Sequence, residues 1–272
     1  MFNLKPRRKT SHKGENGVVL VVGGSEDYTG APALVGMGAL AVLRAGADLV
    51  TVASPEKVAW SINCIAPDLI TKKIKCANFT RKNTNEIMAL VKKADVVGIG
   101  NGISFTQGAK EFMQDVVKKV VCLRKPLVID AAALRVIKLQ DVENAVLLPH
   151  AKELEALLNN SRLEESEIRN NIETNVLVKK GHPLTTIFCR KKTASIKSGN
   201  AGMTHGGTGD VLAGITAGLI AQGNDLFTSA QAACYVNGKT ADVLYKKMGF
   251  GYLASDMVRT IPFVLKKFQW QV

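Results

Sequence analysis

Residues Val18–Val22 read VVLVV, an unbroken apolar run that stops at Gly23-Gly24. A strand of that kind has no polar face. It must be covered on both sides, which is the setting of a parallel sheet between two helical layers. Similar runs recur at 49–53, Val96–Ile99, Leu127–Ile129, 145–148 and 175–178. Helical patterns lie among them, at 31–45 with Gly46 behind it, from Pro55 onward, and at 105–123, 152–158 and 164–172. Residues 185–189 and Thr193–Ile196 flank Arg190-Lys191-Lys192 as a hairpin, and helices over about 210–221, 226–247 and 254–267 close the chain. Strands alternating with helices predict βαβ units, hence an α/β fold with a mostly parallel central sheet. No repeat, low-complexity segment or long linker interrupts the pattern. Residues 1–272 therefore read as one domain, with 1–14 as its basic N-terminal extension (Lys5, Arg7, Arg8, Lys9).

Composition excludes several classes. With 46% hydrophobic residues the chain can bury enough surface to offset its ordering entropy, so it is not mainly disordered. The longest apolar stretches, 18–22 and 211–221, fall short of the ~20 residues that a membrane helix needs. The polar residues Ser11, His12, Lys13 and Glu15 stand where a signal peptide would be apolar. Cys64, Cys76, Cys122, Cys189 and Cys234 are scattered and form no C-x-x-C pair. That argues against a disulfide framework or a zinc ribbon and for a reducing, cytoplasmic setting. The formal net charge of +13 calls for an anionic partner or reflects a lysine-rich surface. Aromatics are 6%, and no basic run is interleaved with them as a single-strand nucleic-acid platform would require.

Ligands of parallel sheets bind outside the carboxyl ends of the strands. The strongest signal there is the segment 199–214, in which Gly199, Gly202, Gly206, Gly207 and Gly209 precede an apolar helix. Backbone amides freed of side-chain bulk at a helix start form an anion site, and a phosphate is its natural guest. The segment has no G-x-x-x-x-G-K-[ST] match, so it is not a Walker A loop. Thr208 or Asp210 can cap that helix. A carboxylate among phosphate-binding amides is equally placed to take a proton from a hydroxyl attacking the phosphate.

The other signals leave alternatives open. The segment 23–32 either binds a ligand or turns the chain, and it lacks the G-x-G-x-x-G of a dinucleotide fold. Gly98, Gly100 and Gly102 read as a turn. His150 after Pro149 is a loop histidine bonded to backbone or a ligand contact. Lys179-Lys180-Gly181 is a solvated pair or a phosphate contact. His12, His150, His182 and His205 show no metal-ligand spacing, and no G-x-S-x-G elbow is present.

Taken together, residues 19–25, 28–32, Leu147-Leu148-Pro149-His150 with Glu153, 199–203 and Gly206-Gly207-Thr208-Gly209-Asp210 through Gly214 resemble the NAD(P)H-hydrate dehydratases, a family of the ribokinase-like superfamily. The resemblance runs from about Lys13 to Val264 and includes Ala254-Ser255-Asp256. It implies a three-layer αβα sandwich. The implied activity restores NADH and NADPH from the S epimers of their hydrates, NADHX and NADPHX. The terminal phosphoryl group of ADP or ATP goes to the hydrate hydroxyl, and phosphate is then lost. Magnesium is the implied ion, ADP the favoured nucleotide, a homotetramer the implied assembly, and a separate NAD(P)H-hydrate epimerase the pathway partner. Nucleic acid and membrane are not implied.

By the same resemblance Asp210 is the base and touches the hydrate, while Gly206, Gly207 and Gly209 form the anion hole. Ala31, Gly102 and His150 contact the hydrate. Lys180, Gly181, His182, Pro183, Leu184 and Gly209 contact the nucleotide. The chain departs from the family pattern at Ile99, where a Pro is usual, at Ala132, where a second acid is usual, and at His182-Pro183, where small residues are usual. The alternatives are a ribokinase-like kinase of a small alcohol such as hydroxyethylthiazole, which would share anion hole and base, and a nucleotide-binding relative without catalysis.

Overall fold

The computed structural model describes residues 2–5, 10, 12, 15–43, 49–181 and 183–269. The expected basic residues Arg7, Arg8 and Lys9 and the helix-ending Gly46 lie outside the described residues. The strands are β1 (Val18–Val22), β2 (Leu49–Pro55), β3 (Ile70–Ile74), β4 (Val96–Ile99), β5 (Leu127–Ile129), β6 (Ala145–Leu147), β7 (Val176–Lys179), β8 (Thr185–Phe188) and β9 (Thr193–Ile196). The helices are α1 (Gly30–Leu43), α2 (Glu56–Ile65), α3 (Thr84–Val91), α4 (Gln107–Cys122), α5 (Ala151–Ser161), α6 (Ile168–Asn171), α7 (Thr208–Ala221), α8 (Leu226–Met248) and α9 (Ala254–Gln269).

One sheet runs in the order β3-β2-β1-β4-β5-β6-β7-β8-β9. Strands β1 to β7 pair parallel, and β8 and β9 add an antiparallel hairpin at one edge. Side-chain alternation divides β1 between two cores. Val19 and Val21 pack toward α1, α2, α7, α8 and α9, whereas Leu20 and Val22 pack toward α3, α4, α5 and α6. The expected mostly parallel α/β sheet covered on both faces is therefore present. Among the described residues no helix is long and apolar enough to cross a membrane.

The first core is closely packed because α1 and α7 meet through small residues. A Cβ on Gly214 of α7 would lie 2.1 Å from the Val35 carbonyl oxygen of α1, and one on Gly38 would lie 2.8 Å from the Val211 oxygen. Helix α7 is buried along almost its whole length, as an all-round apolar helix must be. Its first turn reaches the carboxyl edge of the sheet beside the loops after β4, β5, β6 and β7.

Two elements lacked a sequence expectation. Strand β3 reads ITKKI and alternates exposed and buried positions at the sheet edge, so it has no continuous apolar run. Helix α3 follows it across the second core. The helix expected over 164–172 is instead a 3₁₀ turn, Glu165–Glu167, leading into the single turn α6.

Candidate active site

Four parallel strands each deliver a polar residue at their carboxyl ends. Asn101 lies in the loop after β4, Asp130 directly follows β5, His150 lies in the loop after β6, and Lys180 directly follows β7. Asp210 comes from the first turn of α7. The Asn101 side-chain amide donates to Asp210 Oδ1 at 2.7 Å and to Asp130 Oδ2 at 3.0 Å. Lys180 Nζ donates to Asp130 Oδ1 at 3.1 Å and stands 4.0 Å from Glu153 Oε2. The His150 backbone N–H donates to Glu153 Oε2 at 2.8 Å, and His150 Nε2 stands 3.2 Å from Glu153 Oε1. Three carboxylates thus share one lysine.

That imbalance sets the protonation states. Burial pushes the Asp210 carboxyl up to about 7, and the neighbouring Asp130 and Glu153 charges add to this, against the Asn101 amide and the Lys180 ammonium. Burial likewise raises Glu153, helped by Asp130 and opposed by Lys180 and the bonds from His150. For Lys180 burial works downward, but the Asp130 and Glu153 carboxylates outweigh it and hold the ammonium above its ordinary value. A base held near neutrality is matched to proton transfer at ordinary pH.

The helix that carries Asp210 begins without a side-chain cap. Its N-cap is Gly207 at φ +94°, which has no side chain to bond the first-turn amides. Thr208 Oγ1 donates backward to the Met203 and His205 carbonyls, and the Asp210 carboxylate is held by Asn101. Neither residue serves as the cap that the sequence left open. The glycines divide by cause. Gly207 stands at φ +94°, where an L side chain is strained, and a Cβ there would also lie 2.9 Å from Ala254 Cβ, so glycine there is a backbone requirement. On Gly206 a Cβ would meet nothing within 4 Å, and on Gly209 only Lys180 Nζ at 3.7 Å. The fold does not demand glycine at those two positions, but an anion bound against their amides would.

The preceding segment is tied down by polar bonds. Asn200 Oδ1 accepts from the Tyr252 hydroxyl at 2.8 Å and from the Gly202 amide at 3.1 Å. Its own amide donates to Asp242 Oδ1 at 3.2 Å, and the Gly199 amide donates to Asp242 Oδ2 at 3.3 Å. These bonds anchor the glycine-rich loop to α8 and to the start of α9.

Two cavities meet at the charged cluster. The larger, about 710 Å³, is lined by Ala31, Gly102, His150 and Glu153, with Tyr28 and Phe105 toward solvent. The smaller, about 290 Å³, is lined by Lys180, Gly181, Pro183, Gly209 and Asn237. Ser104 Oγ in the first and Asn237 Oδ1 in the second are buried without a hydrogen-bond partner. Ala31, Gly102 and His150 are thus brought together in one cavity, and Lys180, Gly181, Pro183 and Gly209 in the other. Leu184, Gly206, Gly207 and Asp210 line neither, and His182 lies outside the described residues. His150 is both a wall and a cap. Its Nδ1 accepts from the Lys152 and Glu153 amides at 3.1 and 3.3 Å, which opens α5.

Sequence reasoning did not single out Asn101 and Asp130 as site residues. Their signal was their position just past a buried strand. Asn101 sits between Gly100 at φ +120° and Gly102 at φ +73°, a pair that turns its side chain inward.

A family model described as NAD(P)H-hydrate dehydratase matches residues 19–263. The bifunctional NAD(P)H-hydrate repair enzyme Nnr of Methanothermobacter thermautotrophicus is 39% identical over 97% of this chain and 53% of its own length. The chain therefore spans about half the length of the first of these curated relatives. The ADP-dependent (S)-NAD(P)H-hydrate dehydratase of Nitrosopumilus maritimus is 35% identical, over 97% of this chain and 94% of its own. Among solved structures, a ribokinase-like superfamily protein from Enterococcus faecalis superposes with a TM-score of 0.82 at 26% identity, covering 98% of this chain and 92% of that one. The three-layer α/β sandwich is the ribokinase-like fold.

Proposed function

The chain belongs to the NAD(P)H-hydrate dehydratase family, and we propose that it restores NADH and NADPH from the S epimers of their hydrates by nucleotide-dependent dehydration. The observation that carries this reading is Asp210: a carboxyl held near neutrality in the first turn of α7, in the charged cluster whose Glu153 lines the larger cavity and whose Lys180 lines the smaller. The larger cavity suits a dinucleotide hydrate better than a small alcohol, and the smaller one suits the nucleotide. ADP is the favoured nucleotide, in line with the name of the Nitrosopumilus relative.

In this mechanism Asp210 takes the proton of the hydrate hydroxyl as its oxygen attacks the terminal phosphorus. The bond from that phosphorus to the bridging oxygen breaks, and the shortened nucleotide leaves. The open amides at Gly206, Gly207 and Gly209 hold the transferring phosphoryl group, aided by the helix dipole of α7. The carbon–oxygen bond of the phosphorylated hydrate then breaks, phosphate departs, and loss of a ring proton restores the dihydronicotinamide. Lys180 balances Asp130 and Glu153 and faces the nucleotide cavity.

Magnesium usually binds through nucleotide phosphates, water and one or two carboxylates. Asp130 and Glu153 stand as single carboxylates beside Lys180 and would supply that mode. When bound, the ion would neutralise phosphate charge. Residues 1–272 then act as one catalytic domain in the cytoplasm, assembled as a homotetramer, with an epimerase supplying the S form. The test is to mix protein, S-hydrate, magnesium and either ADP or ATP and to follow reduced-nicotinamide absorbance. Recovery is expected, faster with ADP. No recovery with either nucleotide refutes the reading, and a stable phosphorylated product would mark a kinase instead.

A further inference from the structure

We propose that Asn101 is the positioning residue for Asp210, its one amide nitrogen spacing Asp210 from Asp130 and leaving Asp210 Oδ2 for the substrate hydroxyl. The inference rests on Asp210 being the base. Its support is geometric. Asn101 is 3% exposed, and its two amide hydrogens are matched by two carboxylate oxygens, Asp210 Oδ1 at 2.7 Å and Asp130 Oδ2 at 3.0 Å. Among the described residues no other side chain donates to Asp210. Without that nitrogen two carboxylates would face each other across a buried gap, with only Lys180 nearby as counter-charge.

The backbone holds the amide in place independently of the site. The Asn101 carbonyl accepts from the Gly24 amide at 3.0 Å, which ties the loop after β4 to the loop after β1. A Cβ on Gly100 would lie 2.0 Å from the Asp130 carbonyl oxygen, so only glycine lets the loops after β4 and β5 approach this closely. Asn101 and Asp130 are thereby pressed together from the backbone outward. The side chain between them therefore sets where the α7 carboxylate rests.

The charged groups facing Asp210 come from three elements: Asp130 after β5, Lys180 after β7, and Glu153 of α5 with His150 beside it. Of these only Lys180 favours the ionised base, and it is shared with Asp130 and Glu153. The Asn101 amide is the main group pulling Asp210 toward ionisation against its burial. Removing it should make the base harder to ionise while leaving the nucleotide cavity unchanged.

The experiment follows the carboxyl carbons of ¹³C-labelled aspartate through a pH titration of the whole chain, with Asp210→Asn assigning the resonance. In Asn101→Leu, which removes both bonds, the Asp210 midpoint should rise by about one pH unit. In Asn101→Ser, which can keep at most one bond, it should rise by less. The acid limb of the rate profile should move with the midpoint in each variant, while nucleotide affinity holds. An unmoved midpoint overturns the proposal, as does a slower enzyme whose acid limb stays in place, since that would be a packing effect. If Asn101→Leu does not fold, the smaller Asn101→Ser decides by the same criterion. The titration needs no substrate. A moved midpoint in a chain that never restores the hydrate would therefore count against the proposed reaction and not against Asn101.

Discussion

A carboxyl that burial holds at about 7 keeps its proton in the folded chain long after the unfolded chain has lost it near the ordinary value of 3.8. Between those values the folded state binds the extra proton, so stability falls as pH rises from about 4 to about 7, and the penalty is complete above that. Asp210→Asn removes the charge and keeps an oxygen for the Asn101 amide. At pH 8 this variant should be about 2–4 kcal/mol more stable than the parent, and the gap should be clearly smaller at pH 5 and close only near pH 4, read from urea unfolding across that range. It should also lose turnover while still binding nucleotide. An Asp210→Asn protein that is active, or whose stability advantage over the parent is no larger at pH 8 than at pH 5, would contradict the assignment. Gly209→Ala separates function from folding in the opposite sense. Its Cβ finds room in the fold, 3.7 Å from Lys180 Nζ, so the melting temperature should hold while phosphoryl transfer falls by about 10² or more. A Gly209→Ala enzyme of normal rate would remove the anion hole from the mechanism. Asp210 and its glycines stand out in the sequence because a dense local motif carries them. Asn101 does not, since its role depends on Asp130 and Asp210, which lie 29 and 109 residues away and meet it only across the sheet.

Between elements, the position of the base depends on how closely α7 can lie on α1. Gly214 is the contact point, because a Cβ there would sit 2.1 Å from the Val35 oxygen and 2.7 Å from the Ala39 nitrogen. Backbone atoms cannot step aside as a flexible side chain can, so the helices must part. Gly214→Ala should cost about 2–3 kcal/mol of stability and reduce activity even where the protein is folded, since α7 carries Asp210 in its first turn. Gly30→Ala is the matched control. No atom lies within 4 Å of the added carbon, and its unfolding midpoint should not fall. Equal losses in the two variants would mean that the effect does not come from the contact between α1 and α7, since Gly→Ala by itself lowers only the entropy of the unfolded chain. The buried parallel strands were readable because each is apolar on both faces. Strand β3 escaped notice for the complementary reason: as an edge strand it presents Lys72 and Lys73 within five residues and has no run to read.

At the scale of the whole molecule the charge has two opposed distributions. The chain carries a formal +13, yet the cluster at the cavity junction holds three carboxylates around one lysine. Attraction of a nucleotide from a distance must come from the surface field, because the junction itself is acidic until protons or the ion of the nucleotide offset it. The two contributions respond differently to salt. Screening shortens the Debye length from ~30 Å at 0.01 M to ~8 Å at 0.15 M, which removes the distant field and leaves buried pairs nearly intact. The association rate of ADP, measured by stopped-flow, should therefore fall severalfold across that range while its dissociation rate changes little. An association rate indifferent to salt would mean that the surplus of Lys and Arg is a solvated surface with no part in capture. A dissociation rate that rises with salt as steeply as association falls would move the relevant cations from the surface into the nucleotide cavity, with Lys180 the first to examine.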